Sequence, residues 1–110
     1  MQWKSRNDTF AMNDYLADFL QLSSDVDGWV FLVGVVRWRG PHAPWVDWRA
    51  FRRWKTMPNE DRLARARAGA LRDTRFFRRC TYCETLCNVG HMHERDICQS
   101  CAERHLGVVY

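Results

Sequence analysis

No stretch of this 110-residue chain approaches the run of about eighteen apolar residues that reads as a membrane span. The longest apolar run, residues 29–36, has the length of one buried strand. Residues 1–8 are polar, and no apolar run of signal-peptide length follows them. An intracellular, cytoplasmic protein is therefore expected, and in that compartment paired cysteines favour a metal over disulfides. The stretch Asp25-Val26-Asp27-Gly28 opens like a calcium loop. It lacks the later oxygen ligands and the closing glutamate, which excludes calcium. No acidic triad and no open metal position are evident, so neither catalysis nor a small-molecule substrate is expected.

Charge is present but uneven. Residues 1–36 carry a net −3, residues 37–79 a net +9 and residues 80–110 a net −2. The central block is basic, and nearly all of it is arginine. The planar guanidinium fork matches phosphate and carboxylate and also stacks on aromatic rings. The bland reading is that these arginines only solvate a surface, because charge speaks to binding tendency and not to fold.

Met12, Tyr15, Leu16, Phe19 and Leu20 follow the spacing of an amphipathic helix, with Asp8 or Thr9 as its cap. Residues 23–28 read as a turn. Residues 29–36 read as a central strand, in which Gly34 marks a bulge or a close approach of another backbone. Arg37 and Arg39 continue it on one shared face until Gly40-Pro41. Trp45, Trp48, Phe51 and Trp54 recur every three residues, with Arg49, Arg52, Arg53 and Lys55 among them. A short helix and an irregular strand both accommodate that spacing. Rings and guanidiniums together suit base stacking and phosphate contact, while the plainer reading puts most rings in the core under the arginine stems. A helix is expected from Pro58, with Glu60 and Asp61 near its positive end. Leu63, Ala66 and Ala70 form its narrow apolar face, and Arg62, Arg65 and Arg72 cluster beside it. Residues 74–79 lead on as an extended segment.

Cys80 and Cys83, then Cys98 and Cys101, form two C-x2-C pairs separated by fourteen residues. Two such turns supply the four sulfurs that structural zinc prefers. Iron also suits an all-sulfur tetrahedron. Cys87 lies close enough in sequence to replace a ligand, although a small buried thiol is its plainer reading. His91 and His93 would share one face of a strand. The first pair reads as a knuckle and is followed by a short hairpin. The second pair opens a short helix that ends at Gly107, a favoured C-cap, and residues 108–110 return as a small strand.

Knuckle, hairpin and a helix carrying the second pair resemble the treble-clef zinc fingers, and less closely the zinc ribbons. The resemblance covers about thirty residues and rests on the four cysteines. It implies a fold and one structural Zn²⁺ per chain, and it implies no activity. Narrower families that join such a finger to a long coiled coil or to a Nudix-type glutamate motif are excluded, since neither feature is present.

The expected architecture is a small α+β domain with a C-terminal treble-clef-like zinc lobe. Residues 1–57 would hold the first helix, the buried strand and the aromatic, basic region. Residues 58–110 would hold the arginine-bearing helix and the finger, packed as one unit. The expected function is a binding module that engages nucleic acid through Arg37, Arg39, Arg49, Arg52, Arg53, Lys55, Arg62 and Arg65. The alternative is an adaptor or inhibitor, of the kind that phages and mobile elements encode. It would turn the same Trp/Arg surface on an acidic protein.

Overall fold

The computed structural model describes residues 14–109, in which helices and antiparallel sheets combine as an α+β fold with the cysteines gathered near the C-terminal end. Helix α1 (Asp14–Ala17) leads into strands β1 (Leu20–Asp25), β2 (Gly28–Trp38) and β3 (Pro44–Trp54). Helix α2 (Glu60–Arg72) follows. Strands β4 (Phe77–Arg79) and β5 (Leu86–Asn88), a 3-10 turn (Val89–His91) and helix α3 (Gln99–Leu106) complete the chain. Among the described residues no helix is long and apolar enough to cross a membrane.

The apolar run becomes β2, the central strand of a β1-β2-β3 antiparallel sheet. Its neighbours differ from expectation on both sides. Helical spacing pointed to a helix through Leu20, yet α1 stops at Ala17 and Leu20 pairs with Val33. The Phe19 carbonyl accepts the Gly34 amide at 2.8 Å, so the sheet satisfies backbone groups that a longer helix would have used internally. Met12 and the caps at Asp8 or Thr9 lie outside the described residues. The turn expected over residues 23–28 contracts to Val26-Asp27, and residues 23–25 extend β1. Gly28 closes that hairpin at φ 128°, where any Cβ would also strike the Trp54 carbonyl.

β3 resolves the three-residue aromatic spacing. Leu32 pairs with Ala50 and Phe31 with Arg52, so Phe51 is an extra, bulged residue. A period of two interrupted by one extra residue spreads the rings over both faces. Phe51 and Trp54 pack against the core, while Trp45 and Trp48 stay exposed. Gly34 is not itself the bulge; Val46 and the Trp48 ring occupy the space a side chain there would need.

Residues paired across strands share a face. Leu20, Leu22, Phe31, Val33 and Val35 therefore form one apolar surface, closed by Leu63, Ala66 and Ala70 of α2 as their spacing predicts. Phe31, Val33 and Leu63 are fully buried. Burial of each contributes roughly 1.5–3 kcal/mol. Asn59 caps α2, its Oδ1 accepting the Arg62 amide at 2.9 Å, and Pro58 sits one position before the cap. Glu60 and Asp61 occupy the first turn, beside the helix's positive end.

The second cluster of buried residues contains Cys80, Cys87, Ile97, Cys98, Cys101 and Ala102. The hairpin of this lobe is β4–β5, which flanks the first cysteine pair instead of following it. Residues 108–109 form no strand.

Candidate functional site

β4 delivers Cys80 directly into a tight turn. Cys80 Sγ accepts the amides of Tyr82 (3.4 Å), Cys83 (3.5 Å) and, across the lobe, Cys98 (3.4 Å). Glu84, at φ 61°, ends the turn by donating its amide to the Cys80 carbonyl. Cys98 is the N-cap residue of α3, and Cys101 lies one helical turn later. Gly107, at φ 69°, ends α3 as its C-cap. Thr81 ties the two pairs together, its amide and hydroxyl both donating to the Asp96 carbonyl.

The four sulfurs stand 3.6–3.9 Å apart. Tetrahedral zinc with Zn–S bonds of ~2.3 Å requires sulfurs about 3.8 Å apart. Cys80, Cys83, Cys98 and Cys101 thus form a site able to hold one zinc ion. Three of them are buried and Cys83 is exposed.

The protein alone readies only part of the set as thiolates. Burial pushes the Cys80 thiol up, but the three amides outweigh it and bring it down to about 6. The Thr85 hydroxyl and amide draw Cys83 below the ordinary thiol range. Burial, followed by the neighbouring sulfurs, pushes Cys101 up to about 12. A cation in the middle reverses that last effect, because it neutralises the charges that otherwise repel. Arg104 Nη2 lies 3.8 Å from Cys101 Sγ and adds positive charge there.

Cys87 stands outside the sulfur cluster. Its thiol points to the Thr85 carbonyl at 3.5 Å, and burial raises it to about 12. His91 lies in the 3-10 turn, so it does not share a strand face with His93. Burial lowers its pKa and favours the neutral ring, and its Nδ1 is 2.6 Å from the Tyr15 hydroxyl. That hydroxyl also accepts the Asn88 amide at 2.9 Å. Asn88 is fully buried and behaves as an added piece of strand. Its Oδ1 accepts the Val36 amide at 3.0 Å, and its Nδ2 donates to the Gly34 carbonyl at 2.8 Å. Gly90 follows so closely that a Cβ there would overlap the Val36 carbonyl, and the Trp38 indole donates to the Gly90 carbonyl at 2.8 Å. The cysteine lobe is thereby fastened to the free edge of β2.

The basic residues divide into groups. Arg37, Arg49 and Arg52 come together with Arg75 around a concavity of about 420 Å³ floored by Phe51 and Phe76. Asp47 bridges Arg37 (2.8 Å) and Arg49 (3.4 Å), which holds its carboxyl below the usual range. The Arg52 guanidinium lies 5.4 Å from the Phe51 ring centroid and that of Arg75 5.1 Å from Phe76. Arg39 covers the Trp45 ring at 5.0 Å. Arg53, one residue past Arg52, faces the other side of the sheet and pairs with Asp25 at 3.1 Å. Lys55 is exposed just beyond β3, and Arg62 and Arg65 are exposed on α2.

Asn88, Tyr15 and Arg75 escaped the sequence reading. Asn88-Val89-Gly90 reads only as a turn, which Asn88 does open, and Tyr15 reads only as a position on a helical period. Arg75 belonged to a dense arginine series (Arg72, Arg75, Arg78, Arg79), and that density was the one available signal. No protein-family model, no curated protein and no solved structure matches this chain.

Proposed function

We propose that the chain is a zinc-stabilised, non-catalytic module of treble-clef type that binds nucleic acid. The knuckle carried by β4 and β5, followed by a helix that opens on the second cysteine pair, supports the finger type. Four sulfur ligands fill a tetrahedral shell and leave no position for an activated water, which favours a structural over a hydrolytic metal. The observation that carries the nucleic-acid reading is the gathering of Arg37, Arg49, Arg52 and Arg75 around two aromatic rings. The guanidiniums of Arg52 and Arg75 lie over those rings, and the planar fork of N–H donors that each arginine carries matches phosphate oxygens.

The test is salt-dependent binding to a generic duplex and a generic single strand. Micromolar-range affinity is expected at low salt, falling steeply as salt rises, because phosphate contacts release counterions. Replacing Arg49 and Arg52 with Gln should weaken binding and flatten that slope. No detectable binding to DNA or RNA at low salt would overturn the reading.

One observation favours a protein partner instead. The sheet face away from α2 exposes Trp38, Val46 and Trp48 at 41%, 36% and 38%. Trp is enriched at interface hot spots. A stoichiometric complex with an acidic protein, abolished by Trp48→Ser and indifferent to nucleic acid, would establish this second reading.

A further inference from the structure

A second basic concavity lies where α2 meets the cysteine lobe. It measures about 700 Å³ and is lined by Arg72, Arg78, Arg79 and Arg95, with Asp96 at its side and Leu71, Phe77 and Leu86 behind. None of these four arginines belongs to the group on the sheet. Their electrostatic situation also differs. Arg37 and Arg49 share Asp47, Arg53 has Asp25 and Arg75 has Asp73. Among the described residues, none of Arg72, Arg78, Arg79 and Arg95 has a carboxylate partner. Their only side-chain hydrogen bonds there run to backbone carbonyls: Arg78 Nε to Thr74 at 3.1 Å, and Arg79 Nη1 to Glu84 at 2.6 Å.

Those two bonds orient a pair of guanidiniums and leave further N–H groups on each unpaired. Four like charges around one hollow repel, and the single acid at its side, Asp96, offsets only one of them and forms an ion pair with none. A bound anion would remove that cost, and the one whose geometry suits several guanidinium forks at once is phosphate. The Thr74 hydroxyl, also lining the hollow, is a further donor.

We propose that this concavity is a phosphate-binding site and that its ligand is the backbone phosphate of a nucleic-acid strand. The choice of strand over a free phosphate compound rests on the nucleic-acid reading above. The turn at residues 73–76 separates this hollow from the one on the sheet, with Arg75 on one side and Arg72 and Arg78 on the other. A strand crossing that turn would meet guanidiniums before and after it.

The experiment uses the zinc-loaded full chain and a variant carrying Arg72→Gln and Arg95→Gln. Both side chains are exposed and make no hydrogen bond among the described residues, so zinc content and circular dichroism should be unchanged. The probes are a fluorescein-labelled mixed-sequence single strand and, separately, inorganic pyrophosphate, followed through the arginine Nε–H resonances. For the single strand, affinity is expected to fall on the order of tenfold at low salt. The slope of log K against log salt should become shallower by about 0.7 per lost phosphate contact. An unchanged slope and affinity, with binding still lost in Arg49→Gln/Arg52→Gln, overturns this site and leaves the proposed function standing. If no strand binds but pyrophosphate shifts Arg72, Arg78 and Arg95, the site stands with a free phosphate compound as its ligand and the proposed function falls. If neither probe engages these arginines, the site is refuted.

Discussion

The two buried clusters of this chain are built from different materials. The sheet and α2 close around Phe31, Val33, Val35, Leu63 and Phe77, an interior of ordinary hydrocarbon. The cysteine lobe closes around four buried cysteines, Ile97 and Ala102, with the exposed Cys83 at its rim. Hydrocarbon burial organises the first cluster without help. The second has too little apolar surface to offset the entropy of ordering its loops, and its polar sulfurs must be neutralised before they can lie side by side. A short chain can therefore sustain two interiors if one of them is held by a metal.

The largest effect that would break this contrast is loss of the metal. Chelation, Cys80→Ser or Cys101→Ser should unfold residues 80–109, since structural zinc supplies on the order of 10 kcal/mol in small fingers. The helical signal of α3 should disappear, while the amides paired between β1 and β2 stay protected, though less strongly than in the zinc-loaded protein. A metal-free protein with an unchanged spectrum would show that the lobe folds on its own. Metal analysis should find one zinc per chain, and affinity should fall on acidification, because the ligands are thiolates.

Phe31→Ala attacks the other interior. Phe31 is fully buried beneath α2. Its truncation should cost about 3–5 kcal/mol in chemical denaturation, with zinc stoichiometry retained by the protein that remains folded. Asn88→Ala attacks the join. It strips partners from the Val36 amide and the Gly34 carbonyl, both buried, at a cost of roughly 1–3 kcal/mol. Both interiors should loosen together, visible as faster hydrogen exchange in β2 and in α3. Tyr15→Phe removes one hydroxyl from the same join and should cost about 1 kcal/mol. The smallest effect is expected from Cys87→Ser, which should keep the zinc and most of the stability. Zinc loss from that single change would place Cys87 among the ligands.

Legibility tracked the range over which each signal acts. The metal set was readable because ligand spacing is local within each pair, and α3 and its cap at Gly107 followed from the same short stretch. The buried face of α2 was readable at Leu63, Ala66 and Ala70 because helical periodicity repeats within one element. Residues 19–25 misled because Phe19 and Leu20 fit a helical period, yet their backbone partners, Gly34 and Val33, lie far along the chain. The ring spacing from Trp45 to Trp54 was ambiguous because a bulge at Phe51 imitates a longer period. Asn88 was invisible as a connector, since no pattern announces a side chain that substitutes for a strand. The grouping of arginines into two hollows depended on how α2, β3 and β4 pack, and their density along the chain did not encode it.

The Asn88 clasp has a thermodynamic corollary. Because one side chain completes the edge of β2 and opens the turn leading to the second cysteine pair, the sheet and the metal are linked variables. Whatever free energy zinc lends to the sheet through this clasp, the folded sheet must return as tighter zinc binding. A ligand that settles on the sheet would then tighten zinc binding at a site it never touches. A chelator, in turn, would weaken that ligand by the same factor.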